Sequence, residues 1–256
     1  MGLLSQVIMN TTQRPPKGIV SGPPGCGKTT FGASAKGSII IDCENGAGAI
    51  QCRRTPYLET WQEIDGWLQA LLTEKHDHSV VVIDTLDWMM RRAEEFVAGT
   101  SREKISATMN KSHGGYGNGK QVLRNVAYQV ILPTLDKLVN RGLAVILLSH
   151  LSQTDITDAD GVTTVKATPD LPPEYLNTFV EWSDFVSCVT YANDGSRVMV
   201  MRETGKTLAK NRYNMPERIP FEWGAFIAAM GIKPKAEPKP ETKNNGAPKQ
   251  TATAKA

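Results

Sequence analysis

The stretch GPPGCGKT, residues 22–29, places a lysine and a threonine directly behind a glycine-rich turn. Glycines let successive backbone N–H groups curl around a phosphate, and a helix opening after them turns its positive end on the same group. Gly22, Pro23, Pro24, Gly25, Cys26, Gly27, Lys28, Thr29 and Thr30 are therefore the candidate phosphate-binding residues. In this pattern Lys28 reaches the β- and γ-phosphates and the Thr29 hydroxyl holds Mg²⁺, so the implied ligands are ATP and magnesium. The alternative is a glycine turn with a structural role only.

A second carboxylate-bearing position completes a magnesium site. Asp84 closes the apolar run in VVVIDT, at the C-terminal end of a strand expected beside the phosphate-loop strand. There it can hold the water shell of Mg²⁺, which makes Thr29 and Asp84 the metal candidates. Asp87 reads as a cap on the following helix. Hydrolysis also needs a group that orients water. In IIIDCENG the favoured residue is Glu44, with Asp42 next; both could instead cap the turn that follows. VILLSH ends on Ser149 and His150, where a polar group can sense the γ-phosphate or be an ordinary hydrogen-bonded residue. DITDADG lacks the regular acidic spacing and terminal Glu of a calcium loop and reads as a hairpin turn.

The elements that must position these residues follow from periodicity. GIVS, SIIIDCE, SVVVIDTLDWM and LAVILLSH are buried-strand runs separated by helical patterns. The helix TWQEIDGWLQALLTE carries Trp61, Ile64, Leu68, Leu71 and Leu72 on one face and a Thr60/Glu63 capping box. A polar, glycine-rich stretch covers roughly 99–120, and the helix after it contains Pro133, which should kink or split it, and ends at Gly142. Strands alternating with helices predict a mostly parallel sheet sandwiched by helices. After residue 150 short strands joined at Asp160-Gly161, Asp194-Gly195 and Gly205 predict a C-terminal antiparallel β extension, closed by the helix EWGAFIAAMG. The expected class is thus α/β, a P-loop NTPase core.

Composition places limits on the partners. The 256 residues carry a net charge of +3, but residues 233–256 hold six lysines and two glutamates, +4, which leaves −1 for residues 1–232. Any nucleic-acid surface on the body must be local. The last 24 residues, rich in Pro, Lys and Ala and without aromatic side chains, read as a disordered basic tail beyond an ATPase domain of residues 1–232. Cys26, Cys43, Cys52 and Cys188 include no close metal-ligand pair and read as reduced thiols of a cytoplasmic protein. No run approaches the roughly 20 apolar residues of a membrane span, and neither a signal peptide nor a myristoylation signal is legible in MGLLSQ.

The order of Glu44, Asp84 and the Ser149-His150 pair resembles that of the RecA-like ATPases, in which the acid after the second strand activates water. LAKNRYNMP looks like the Lys-x-Arg element of bacterial RadA and replicative helicase cores, and the resemblance implies that Lys210 and Arg212 act on the nucleotide of a neighbouring subunit; an exposed basic turn is the alternative. Residues 17–225 most resemble the phage RecA-like single-strand annealing ATPases, the fourth Sak class. That likeness implies a DNA recombination protein of the host cytoplasm that binds single-stranded DNA, promotes annealing or strand exchange, assembles as a ring or filament and meets a single-strand-binding protein. In NKSHGGYGNGK, Tyr116 offers a stacking face and Lys111 and Lys120 offer phosphate contacts on a mobile loop. The sequence shows no counterpart of the large N-terminal domain of replicative helicases or of RadA's zinc domain. A helicase-like motor or loader, and a nucleotide switch that binds a protein partner without DNA, are the competing functions.

Overall fold

The computed structural model describes residue 4 and residues 14–99, 109–157 and 160–231. The expected tail lies outside the described residues, as does part of the glycine-rich stretch. The first strand, β1 (Lys17–Ser21), runs into the glycine turn, and α1 (Lys28–Ala33) leaves it. The next three strands are β2 (Ser38–Asp42), β3 (Val80–Asp84) and β4 (Ala144–Ser149), every residue of them buried. Such β-branched runs, apolar on both faces, fit only a sheet covered on both sides. Their side chains alternate accordingly: Ile41, Ile83 and Leu147 enter one core cluster, while Ile40, Val82 and Ile146 enter the other.

Helix α2 (Trp61–Thr73) starts at the predicted capping box, with Thr60 accepting from the Glu63 N–H and Glu63 from the Thr60 N–H. Helix α3 (Leu86–Ala98) follows Asp84 directly. The Pro133 helix is split as the sequence predicts: α4 (Asn118–Val126) passes through a π-helical turn, Ala127–Ile131, into α5 (Leu132–Asn140). Pro133 lies directly after that π-helical turn, at the start of α5, and the turn interrupts the α-helical bonding where the proline lacks an N–H. Gly142, at φ 94°, then reverses the chain into β4.

The sheet order departs from expectation. Its path is β10-β8-β7-β1-β4-β3-β2, with β7 (Phe185–Tyr191), β8 (Arg197–Val200) and β10 (Arg218–Pro220), and with β9 (Lys210–Asn211) paired to β7. The chain crosses from β1 to the far edge at β2 and fills inward through β3 and β4. The strand ending in Asp84 is therefore separated from the phosphate-loop strand by β4, not beside it. The fifth parallel strand, β7, pairs with β1 and belongs to the core rather than to the antiparallel extension. That extension consists of β8, β9 and β10 on the same sheet, together with a separate hairpin, β5 (Leu151–Thr157) and β6 (Thr163–Pro169). Helix α6 (Pro173–Trp182), absent from the sequence reading, buries Tyr175, Leu176, Phe179 and Trp182. The closing helix, α7 (Trp223–Ala229), is present.

Candidate nucleotide site

The strand ends build the site. Ser21 faces Ser149 in register, and Asp42 faces Asp84, so the C-terminal residues of four parallel strands form a polar row along one edge of the sheet. The Gly22 N–H donates to the Ser149 carbonyl at 3.1 Å, which fastens the start of the phosphate loop to β4. Gly25 and Gly27 take φ of 73° and 95°, left-handed conformations that a side chain would strain. Gly27 hands the chain to α1, and Lys28 folds back over the loop, donating to the carbonyls of Gly22 and Pro23 at 3.0 and 3.2 Å.

A cavity of about 330 Å³ sits on this edge, lined among others by Lys28, Thr29, Glu44, Asp84 and His150. Thr29 donates its hydroxyl proton to Asp84 Oδ2 at 2.7 Å. Asp84 is buried, and burial, reinforced by the nearby charges of Glu44 and Asp42, pushes its carboxyl up to about 6 against the bond from Thr29. A hydroxyl and a carboxylate oxygen this close, beside a phosphate loop, suit Mg²⁺, which takes one or two protein ligands and fills its shell from phosphate and water. Among the described residues, no group of three His, Cys, Asp or Glu side chains offers an all-protein cage.

The two candidates after β2 separate cleanly. Asp42 is fully buried and committed: it accepts from the Asn45 N–H at 2.7 Å and from Arg54 at 3.1 Å, which is the turn-capping role the sequence left open for it. Glu44 reaches the cavity instead, with Oε1 3.4 Å from His150 Nε2. His150 is held from behind by Asp87, which accepts from its backbone N–H at 3.1 Å and from Nδ1 at 2.9 Å. Asp87, expected only to cap α3, is therefore a positioning residue for the imidazole. Its place in the first turn of the helix after Asp84 is the signal that could have revealed this. Burial works to raise Asp87, but the bonds from His150 prevail and hold it below the ordinary carboxylate range. The same Asp87 bond raises His150 against the effect of its burial.

That coupling makes a prediction. Stabilisation from a raised histidine is complete below its unfolded value near 6.5 and fades as pH rises through the folded one. In Asp87→Asn the His150 ring should titrate at lower pH than in the parent, and the low-pH stabilisation should shrink. NMR titration of the four histidines, with His150→Gln for assignment, reads this directly. An unmoved His150 would remove Asp87 from the role.

The basic pair lies elsewhere. In register with Val186 and next to Phe185, at the start of β7, Lys210 and Arg212 occupy the sheet edge opposite the phosphate loop. Lys210 donates to the carbonyls of Val180 and Glu181 at 2.8 and 2.9 Å, closing the end of α6. Arg212 pairs with Asp184 at 3.0 Å.

The described part of the glycine-rich segment, 109–120, forms a bonded turn. Residues 113–117 all take left-handed backbone conformations: His113 φ 55°, Gly114 91°, Gly115 82°, Tyr116 52° and Gly117 78°. The turn is knitted by bonds from Gly115 N–H to Ser112 O, Gly117 N–H to Asn110 O and Asn118 Nδ2 to His113 O. The glycines here supply the left-handed conformations that this turn takes. Tyr116 stands fully exposed at its tip and Lys111 is exposed nearby, while Lys120 is drawn into an ion pair with Glu174 at 2.6 Å.

A family model described as an AAA domain matches residues 14–213. The chain belongs to that family. The match spans the phosphate loop, Glu44, Asp84, His150 and the Lys210–Arg212 element, and an AAA domain is a nucleotide-binding, P-loop ATPase domain. Comparison with curated proteins gave no significant match. No helix of the described residues is long and apolar enough to cross a membrane.

Proposed function

We propose that this AAA-domain ATPase acts on single-stranded DNA, promoting annealing or strand exchange as a RecA-like assembly. In this reading Lys28 and the loop amides bind the phosphates, and Thr29 and Asp84 hold the magnesium, which neutralises charge on the phosphate oxygens. Glu44 orients the attacking water and accepts its proton, with His150 beside it and Asp87 fixing the ring. Lys210 and Arg212 act across a subunit interface, Arg212 exchanging Asp184 for a neighbour's phosphate.

One observation carries the DNA reading: helix α3 joins the nucleotide site to the exposed tyrosine. Its first turn supplies Asp87 to His150, and near its other end the Val97 carbonyl bonds His113 Nε2 at 2.9 Å, at the base of the Tyr116 turn. The helix has 13 residues, a rigid span of about 20 Å at 1.5 Å per residue. Arg91, one turn along it, also pairs at 3.4 Å with Asp170, at the foot of the β5–β6 hairpin. A change at His150 therefore has a stiff element through which to reach an aromatic ring poised to stack on a base.

Hydrolysis measured with and without single-stranded DNA tests the proposal; stimulation is expected. Tyr116→Ala combined with Lys111→Ala should weaken single-stranded DNA binding by tenfold or more, since stacking contributes about 1–3 kcal/mol per base. Each lost phosphate contact should also flatten the salt dependence by about 0.7 in slope. An ATPase indifferent to DNA would instead point to a nucleotide switch acting on a protein, and duplex unwinding with fixed polarity to a motor.

A further inference from the structure

A cavity of about 270 Å³ opens where α3, α4 and α6 meet, and it shares no lining residue with the cavity beside the phosphate loop. Met109 and Leu123, both buried in the core, form its apolar wall. Its polar side is Glu94 and Tyr175. The phenol donates to Glu94 Oε1 at 2.7 Å, and among the described residues no bond engages Oε2. Burial raises the Glu94 carboxyl against the bond from Tyr175 and the charge of Arg91. Hydrolysis gives this carboxyl no task, and burying it without one would be a plain cost. At the mouth Lys120 and Glu174 pair at 2.6 Å, with side chains 52% and 38% exposed. So exposed a pair contributes little and opens readily. Asn110 and Lys120, which line the cavity, also flank the Tyr116 turn, and the Gly117 N–H bonds the Asn110 carbonyl at 3.2 Å.

We propose that this cavity receives one nucleobase bearing an exocyclic amine, turned out of a single strand that stacks on Tyr116, with Glu94 accepting from the amine. The proposal deepens the single-stranded DNA reading and rests on it. The volume falls just below the roughly 300–1,000 Å³ of sites for drug-sized ligands, which suits one base better than a whole nucleotide. An apolar wall with a few convergent polar groups is the usual build of such a site. Turning a base out is least costly in a strand that is already single. The free oxygen of Glu94 accepts a hydrogen bond from the amine of cytosine or adenine, and thymine has no such amine. As the base enters, Lys120 exchanges Glu174 for the adjoining phosphate, so the cation at the mouth serves the backbone while the carboxyl within reads the base.

The experiment measures affinity for short thymine strands that carry one central adenine, one central purine lacking the amine, or thymine only, in the parent and in Glu94→Gln. The parent should bind the adenine strand about tenfold more tightly than the other two, the effect of one hydrogen bond to a charged group. In Glu94→Gln the amide oxygen is taken by Tyr175 and the amide N–H groups face the cavity. The adenine strand should then fall to the thymine level, while the thymine strand stays at the parent value and reports an intact fold. Should Glu94→Gln fold poorly, the comparison of adenine with purine in the parent still decides. Equal parent affinity for the three strands, purine bound as tightly as adenine, or an adenine preference that survives in Glu94→Gln would overturn the cavity assignment and leave the Tyr116 surface standing. A parent that binds none of the strands would overturn both.

Discussion

Glu44→Gln should bind ATP and Mg²⁺ like the parent and hydrolyse about 10²–10⁴-fold more slowly, the usual worth of a positioned general base. The amide keeps the size of the carboxylate and can still accept a hydrogen bond from His150, but it cannot take a proton from water. The geometry makes the choice of residue sharp. Asp42 spends its oxygens on the Asn45 N–H and Arg54, whereas Glu44 lies 3.4 Å from the His150 ring and lines the cavity. Single-turnover hydrolysis, with affinity measured separately, distinguishes lost chemistry from lost binding. Parent-like turnover would move the water-orienting role away from Glu44.

Asp84→Asn should cost nearly all Mg²⁺-dependent hydrolysis and yet raise the melting temperature. The buried carboxyl titrates at about 6, above the ordinary value of 3.8. Between those two values the folded protein holds a proton that the unfolded chain releases, so stability falls as pH rises through this window. At neutral pH the charged Asp84 is therefore a net cost, on the order of 1–3 kcal/mol after allowing for relaxation around it. A neutral amide removes that cost and still accepts from Thr29. The gain in melting temperature should be several degrees at pH 7.5 for a chain of this size, and should vanish near pH 4, where the parent is protonated as well. A destabilised Asp84→Asn at pH 7.5 would mean that the carboxylate is compensated inside the fold and is not held in reserve for a cation.

Much of the site was legible because its parts are local. The glycine turn with Lys28 and Thr29 is contiguous, and Asp84, Glu44 and His150 each follow an apolar run that could only be a buried strand. What escaped the sequence was relational. Strand order depends on which helices cover which face, so nothing in VVVIDT says that β4 will come between it and β1. The run FVSCVTY, followed by a tight Asp194-Gly195 turn, reads as half of a hairpin, yet its partner on the other side is β1, more than 160 residues earlier. Helix α6 hides behind a Pro-Pro opening and polar residues that dilute its period. Arg197 carries no motif at all; only the folding of β8 onto β7 brings it over Gly27. The spacing of Lys210 and Arg212 is visible in the chain, but their engagement with the end of α6 and with Asp184 is not.

The polar row at the C-terminal ends of the parallel strands also divides the molecule for anyone wishing to add to it. Ser21, Asp42, Asp84 and Ser149 keep their alignment through strand register, so one added residue inside β1, β2, β3 or β4 would rotate side chains to the wrong face and pull the row apart. The opposite edge, where Lys210 and Arg212 lie, holds no part of that row. The turn at 140–142, between α5 and β4, is exposed and far along its strand from His150. A fluorophore or an affinity sequence belongs there, where the tether is short and Glu44, Asp84 and His150 are a whole strand length away.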